Sequence, residues 1–207
     1  MVRVKICGIG NWGDARAACD LGADALGFNF YEKSSRAIAP AAAWAIRKKL
    51  PPFVGAVGVF VNWAPAAVNS LSRSLQLHAA QLHGDETPKQ AAAIDIPVIR
   101  ALRLGAKFKM SEFSRYRCHG FLLDAAQNGQ YGGTGQLADW DIARAAAKSQ
   151  IIILAGGLTP ENVAEAIRTV RPYAVDVASG VELKPGKKDH GRMRAFLDEV
   201  RRAESQL

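Results

Sequence analysis

Two side chains that can move protons stand at the ends of apolar runs typical of buried strands. Cys7 ends the run at residues 2–7, and Asp124 directly follows the run at residues 121–123. A carboxylate at the end of an apolar strand is rarely a solvated surface group. A cysteine and an aspartate that face each other across one cleft could form a pair of proton donor and proton acceptor. We therefore take Cys7 and Asp124 as the candidate catalytic pair.

Glycine-rich segments follow several of the later apolar runs and could offer backbone N–H groups to an anion. Glycine lets the backbone approach a ligand closely, and N–H groups at the start of a helix bind phosphate. One glycine pair alone is typical of an ordinary turn, but two such loops after the last two strands favour a phosphate site. The candidates are Gly156-Gly157 and Ser179-Gly180, with Gly132-Gly133 in an earlier loop.

Three further polar residues follow other strand-like runs. Arg36 lies in the segment after the second run and could hold a carboxylate through two parallel hydrogen bonds. His83 ends the fourth run and is predicted to be either a polar wall residue or a ligand contact. Asp176, near the end of the eighth run, suits binding of a substrate hydroxyl or anchoring of a loop better than proton donation. The four histidines include no pair with metal-ligand spacing, so no metal is predicted.

The elements that must position these residues alternate along the chain. Eight short runs, most of them apolar throughout as strands buried on both faces are, alternate with segments that carry helix signals. The runs are residues 2–7, 25–30, 53–60, 79–82, 97–101, 121–123, 151–154 and 174–177. Helix starts are predicted at prolines, two of them preceded by a threonine N-cap: Pro40, Pro65, Thr87-Pro88 and Thr159-Pro160.

Strict alternation of strands and helices implies a parallel sheet with helices outside it. Eight such units in 207 residues suffice for one (β/α)₈ barrel, so we predict a single TIM-barrel domain spanning residues 1–207. The active site of such a barrel lies at the carboxyl ends of its strands, which is where the candidate residues fall. An open doubly wound sheet is the alternative, but its Gly-x-Gly-x-x-Gly turn is not supplied by residues 7–12.

The composition excludes several classes of protein. Apolar residues make up 49% of the chain and charged residues 22%, as in a globular domain rather than a disordered one. The net charge of +8 is spread along the chain without interleaved aromatics, so no nucleic-acid partner is predicted. Three cysteines without paired spacing argue against a disulfide framework and favour a reducing compartment. With no apolar run near ~20 residues and no signal-like segment, we expect a cytoplasmic protein that does not bind membranes.

Motifs distributed over essentially the whole chain resemble those of the phosphoribosylanthranilate isomerases of tryptophan biosynthesis. The most specific are K-I-C-G at residues 5–8, Q-L-H-G-D-E at 81–86 and D-V-A-S-G-V-E at 176–182. The A-G-G motif at residues 155–157 also matches, although it is not specific by itself. None of the departures from the usual family pattern removes a candidate catalytic group; they are Gly10, Ser35 and Ala178.

The resemblance implies an Amadori rearrangement of N-(5-phosphoribosyl)anthranilate to 1-(2-carboxyphenylamino)-1-deoxyribulose 5-phosphate, without a cofactor. It implies that Asp124 is the general acid that opens the furanose ring and that Cys7 is the general base that removes the C2′ proton. Arg36 would bind the anthranilate carboxylate. The phosphate would lie on the loops that contain Gly156-Gly157 and Ser179-Gly180, with the Gly132-Gly133 loop helping.

Two alternative functions stay open. A related phosphate-binding barrel isomerase of histidine biosynthesis runs the same chemistry, but an aspartate is expected there where this chain has Cys7. A non-catalytic basic barrel that binds phosphate ligands or nucleic acid would leave Cys7 and Asp124 without roles. For the isomerase, the partner is a small phosphorylated substrate, and the chain is expected to be a monomer or a weak homodimer.

Overall fold

Eight parallel strands close into a barrel in the computed structural model, which describes residues 1–104, 108–125 and 139–206. Each strand pairs with the next along the chain, and the eighth pairs with the first. The strands are β1 (Arg3–Cys7), β2 (Ala25–Asn29), β3 (Gly55–Phe60), β4 (Ala79–Leu82), β5 (Val98–Leu104), β6 (Gly120–Ala125), β7 (Ile152–Leu154) and β8 (Ala174–Val177). The predicted (β/α)₈ barrel is confirmed.

Helices follow the strands and pack against their outer faces. They are α1 (Trp12–Asp20), α2 (Pro40–Arg47), α3 (Pro65–Ser74), α4 (Pro88–Ala92), α5 (Glu112–Arg115), α6 (Trp140–Ala147), α7 (Val163–Val170) and α8 (His190–Glu204). Three of them begin at a predicted proline, and Thr87 caps α4 in a capping box with Gln90. Within the described residues, no helix is long and apolar enough to cross a membrane.

One predicted helix start is wrong. Thr159 and Pro160 precede α7 by a turn, because the helix begins at Val163 with Asn162 in the N-cap position. The Asn162 side chain ties the loop instead: Oδ1 accepts from the backbone N–H of Thr159 at 2.8 Å, and Nδ2 donates to the carbonyl of Gly157 at 2.9 Å. This tight loop occupies the residues that were expected to form the first helical turn.

The barrel contains two apolar layers. The larger lies between strands and helices and includes the predicted apolar stripes of the last two helices, for example Ile167 and Phe196. Because successive side chains of a strand point to opposite faces, alternate residues of each strand point into the barrel. Full burial of one large apolar side chain in either layer contributes about 1.5–3 kcal/mol to the free energy of unfolding. The smaller layer, inside the barrel, consists of Ala101, Leu122, Ile153, Ala155 and Ala174.

A short hairpin after β8 has no counterpart in the sequence prediction. A turn of 3₁₀-helix at Ser179–Val181 leads into β9 (Glu182–Lys184), which pairs antiparallel with β10 (Lys187–Lys188). Gly186 in the hairpin turn has a φ of +81°, and a Cβ there would lie 2.9 Å from the backbone oxygen of Ser35. The hairpin therefore packs against the loop after β2 and requires a glycine at its tip.

Candidate active site

The carboxyl ends of the strands surround one cleft of ≈ 690 Å³, counted with its opening to solvent. Gly180 borders an adjoining depression together with two residues of this cleft. The predictions for Gly132 and Gly133 concern residues outside the described part of the chain. Eight of the predicted site residues line the cleft: Cys7, Arg36, His83, Asp124, Gly156, Gly157, Asp176 and Ser179.

Strand alternation explains why Cys7 and Asp124 reach this cleft. Their neighbours Ile6 and Leu123 are fully buried in the outer layer, so the two candidates occupy the opposite, inward-facing positions of β1 and β6. One step deeper in β6, the inward position is Leu122, which belongs to the apolar layer inside the barrel. The inward position below Asp124 on β6 is thus apolar, and the two candidate residues stand at the mouth of the barrel.

Asp124 is 4% exposed and lies beside a histidine. Oδ2 of Asp124 is 3.4 Å from Nε2 of His83, and Nδ1 of His83 lies 2.9 Å from the side-chain nitrogen of Gln81. The contact with Gln81 thus fixes one edge of the His83 ring, and the other edge faces Asp124. His83 is therefore a wall residue of the cleft beside the candidate acid, and a direct contact between His83 and a ligand stays a prediction.

Cys7 is 9% exposed, and its sulfur packs against β2, where a Cβ at Gly27 would lie 2.7 Å from Sγ. Burial raises the pKa of the thiol, Lys5 lowers it, Asp176 raises it and Lys188 lowers it, and the net pKa lies above the ordinary value. The thiolate is the reactive form of cysteine. The positive charges of the two lysines thus favour the thiolate, but burial outweighs them.

Arg36 is tied to Glu182 through two of its three guanidinium nitrogens. Nε and Nη2 donate to the carboxylate at 2.9 and 2.7 Å, and Nζ of Lys188 donates to it at 2.9 Å. Burial raises the pKa of Glu182, but the hydrogen bonds and charges of Arg36 and Lys188 outweigh burial and lower it overall. This arrangement leaves Nη1 of Arg36 outside the pair, on a side chain that lines the cleft. The predicted carboxylate contact of Arg36 stays a prediction.

The loops after β7 and β8 meet without a side chain between them. Gly156 and Gly157 have φ values of +79° and +66°, which residues with a Cβ rarely adopt. At Gly180, an added Cβ would lie 1.9 Å from the carbonyl oxygen of Leu158. Nε of Arg192, in the first turn of α8, donates to the carbonyl of Gly180 at 2.9 Å and fixes the second loop. The exposed backbone of both loops is suited to binding an anion through N–H groups.

Two buried lysines stand close to the site without lining the cleft, and the sequence did not predict their burial. Lys5 is 4% exposed and forms a 2.7 Å ion pair with Asp176 inside the barrel. Lys188 looks like one more surface charge in a basic segment, yet its side chain is fully buried. For Lys5 a signal was available, because residues two apart on a strand share a face and Cys7 was already placed at the mouth. Lys188 gave no such signal, since its hairpin was not predicted.

Comparison with known proteins identifies relatives over the full barrel. The family described as PRAI, N-(5'phosphoribosyl)anthranilate (PRA) isomerase, matches residues 4–199. An N-(5'-phosphoribosyl)anthranilate isomerase of Trichlorobacter lovleyi is 52% identical, over 98% of this chain and 100% of that protein.

Solved structures give the same result. Phosphoribosyl anthranilate isomerase from Thermotoga maritima matches with a TM-score of 0.90 and 44% identity, over 97% of this chain and 99% of that one. Another such isomerase, in complex with reduced 1-(o-carboxyphenylamino)-1-deoxyribulose 5-phosphate, matches with a TM-score of 0.87 and 43% identity over the same shares of both chains. The chain belongs to the N-(5'-phosphoribosyl)anthranilate isomerase family.

Proposed function

We propose that this chain catalyses the Amadori rearrangement of N-(5-phosphoribosyl)anthranilate to 1-(2-carboxyphenylamino)-1-deoxyribulose 5-phosphate. The observation that carries the proposal is the placement of Cys7 and Asp124 in one cleft, together with Arg36 and the glycine loops after β7 and β8. These groups suit a substrate with a carboxylate at one end, a phosphate at the other and a proton-transfer centre between them. Family membership supports the proposal, as does the related isomerase whose bound molecule is a reduced form of the product.

In the first step, Asp124 donates its proton to the furanose ring oxygen while the C1′–O bond breaks. The lone pair of the anthranilate nitrogen forms the C1′=N bond, so the ring opens to a protonated Schiff base. Asp124 stands at the end of β6 with its carboxyl group in the cleft beside His83, where the ring oxygen of a bound substrate could reach it.

In the second step, the Cys7 thiolate removes the proton from C2′. The electron pair of that C–H bond forms the C1′=C2′ bond and returns the C=N electrons to nitrogen, which gives an enolamine. Transfer of the C2′ hydroxyl proton to C1′ then yields the ketone. The substrate nitrogen serves as the electron sink, so acid–base groups of the protein suffice for the reaction.

The remaining predicted residues bind the two ends of the substrate. The carboxylate would lie on Arg36, whose orientation Glu182 fixes, and the phosphate on the N–H groups of the glycine loops. Asp176 would accept a hydrogen bond from a ribose hydroxyl with the lone pairs that its ion pair with Lys5 leaves over. The loop containing Gly132 and Gly133 keeps its predicted helping role on the phosphate.

A steady-state assay on phosphoribosylanthranilate tests the proposed function, because loss of anthranilate-type fluorescence reports turnover directly. Turnover of this substrate supports the proposal. Turnover of only the phosphoribosyl substrate of the histidine-pathway isomerase would support the alternative enzyme. No turnover of either, combined with salt-dependent retention on DNA, would support a non-catalytic basic barrel.

Replacing Gly157 by valine should raise KM and weaken inhibition by inorganic phosphate or sulfate together. The physical reason is the φ of +66° at this position, which a β-branched residue resists, so the loop must rearrange and lose its anion-binding N–H geometry. Competition kinetics with phosphate measure both effects. The matched control is Gly10→Ala, since a Cβ at Gly10 meets only one neighbour, at 3.8 Å. Unchanged phosphate inhibition in Gly157→Val would show that the anion binds elsewhere on the protein.

We further propose that the protein is a cytoplasmic monomer or weak homodimer. Its three cysteines are unpaired, which suits a reducing compartment. At the end of the barrel opposite the cleft, Phe53 is 97% exposed and borders a hollow beside Tyr173, a small apolar surface on which a weak self-association could form. Sedimentation at increasing concentration should therefore show mostly monomer that shifts toward dimer. A dimer that persists at nanomolar concentration would contradict weak association.

A further inference from the structure

Lys5 lies next to the candidate base, and the mechanism above gives it no task. Lys5 of β1 and Asp176 of β8 are register partners, and both point into the barrel. Nζ of Lys5 donates to Oδ1 of Asp176 at 2.7 Å, and the two side chains are only 5% and 9% exposed. Charges buried to this degree are costly unless they are paired, so the pair is a fixed feature of the barrel interior.

Lys5 also interacts with the thiol. Lys5 and Cys7 are two residues apart on β1, so both side chains point into the barrel from the same strand. Burial lowers the pKa of Lys5, but Asp176 and Cys7, by charge and by hydrogen bonding, raise it overall. The lysine is therefore an ammonium ion at neutral pH, and it stands between the Asp176 carboxylate and the Cys7 thiol.

Cys7 has other charged neighbours besides Lys5, and most of them are paired with groups other than the thiol. On the hairpin side, Lys188 is a second cation, but its ammonium is bonded to Glu182 and to the carbonyl of Ala178. Arg36, on the loop after β2, is paired with the same glutamate. β2 itself presents uncharged Gly27 to the sulfur, and Asp124 lines the same cleft from β6.

We propose that Lys5 is a positioning residue for Cys7: its ammonium group stabilises and orients the thiolate that abstracts the C2′ proton, and Asp176 fixes this ammonium and moderates its effect. The inference rests on the proposed function in one respect, since it takes Cys7 to be the base. It gives the K-I-C motif a physical meaning, because the lysine and the cysteine must stand two residues apart to share the inner face of the strand.

The charges dictate opposite consequences for two substitutions. Removing the positive charge in Lys5→Met destabilises the thiolate, so the pKa of Cys7 should rise. Removing the negative charge in Asp176→Asn relieves repulsion and frees the ammonium for the sulfur, so the pKa of Cys7 should fall. A purely structural role for the pair would loosen the site in both variants and would not separate them in opposite directions.

The experiment measures the rate of Cys7 alkylation by iodoacetamide against pH in the free, full-length protein. Only the thiolate reacts, so the midpoint of the rate profile reports the pKa of the thiol. The three cysteines fall in different tryptic peptides, so mass spectrometry assigns each rate to its residue. Cys118 is the internal control, since it lies near the start of β6 and outside the cleft-lining set.

In Lys5→Met, we expect the Cys7 midpoint to rise by at least about one pH unit, which is about a tenfold slower reaction at neutral pH. In Asp176→Asn, the midpoint should fall below that of the wild type. Lys5→Arg keeps the charge, so its midpoint should lie closer to the wild type than that of Lys5→Met. In every variant the Cys118 profile should stay unchanged. The pH at which kcat/KM rises should move with the Cys7 midpoint.

Unmoved midpoints, or midpoints that move in the same direction in Lys5→Met and Asp176→Asn, would overturn the inference. If Lys5→Met does not fold because Asp176 is left unpaired, the double variant Lys5→Met, Asp176→Asn removes both charges. Its midpoint should lie above that of Asp176→Asn alone, and equal midpoints would again overturn the role of Lys5. The alkylation experiment needs no substrate and reports only the pKa of the Cys7 thiol. If Cys7→Ala kept full turnover, the proposed role of Cys7 as the base would fail, but the measured effect of Lys5 on the thiol would stand.

Discussion

Asparagine in place of Asp124 should lower kcat by at least about 10²-fold while the substrate still binds. The amide has the shape of the carboxyl group and keeps a polar atom toward His83, but it cannot deliver a carboxyl proton to the ring oxygen. Loss of proton donation affects the ring-opening transition state and leaves the phosphate and carboxylate contacts in place. Steady-state kinetics should therefore show a collapse of kcat with a small change in KM.

Asp176→Asn is the matched control for this prediction, because among the described residues that line the cleft Asp176 is the other carboxylate, and it is changed in the same way. Asp176 forms a 2.7 Å ion pair with Lys5, and to act as an acid it would first have to carry a proton, which would leave that buried ammonium without its counter-charge. We expect its variant to lose less kcat than Asp124→Asn when both are measured side by side. A larger loss of kcat at Asp176 would show that Asp176, and not Asp124, is the general acid.

The strands could be predicted from the sequence because a barrel strand is buried on both faces. The run at residues 79–82 and the run at 174–177 match β4 and β8 to the residue. β5 was predicted to end at Ala101 but continues to Leu104, because Arg103 interrupts the apolar run without ending the strand. Arg100 is tolerated in this strand because its guanidinium is paired at 2.7 Å with buried Glu86 on the outside of the barrel. An apolar run in the sequence thus underestimates the length of a strand that contains charged residues.

The membership of the cleft could also be predicted, because the carboxyl ends of parallel strands necessarily converge. What could not be predicted is which charged groups pair there. Arg36 meets Glu182 across 146 positions of sequence, and Lys5 meets Asp176 across 171. No local pattern encodes a contact of that separation, because it depends on barrel closure and on a hairpin that carries no apolar run. The burial of Lys188 could not be predicted either, because Lys188 lies in that hairpin.

Alanine in place of Cys7 should lower kcat by at least about 10²-fold with little change in KM, which is the usual effect of losing a general base. The substitution removes one sulfur atom from a site packed against Gly27, so it creates a small void and no clash. The expected loss of stability is about 1 kcal/mol, too little to unfold the barrel. Loss of kcat in a folded protein would therefore report the chemical step itself.

Cys118→Ala is the control for Cys7→Ala, because it removes a half-buried thiol that does not line the cleft. Its kcat should stay within about twofold of the wild type, because the substitution leaves every described residue that lines the cleft in place. The Cys7→Ser variant tests whether the acidity of the side chain matters or only its size. The serine hydroxyl fits the same space but is far harder to deprotonate, so kcat of this variant should fall nearly as far as that of Cys7→Ala. Near-normal kcat in either Cys7 variant would mean that another group abstracts the C2′ proton, and the inward-facing position at the end of β1 would then serve only packing.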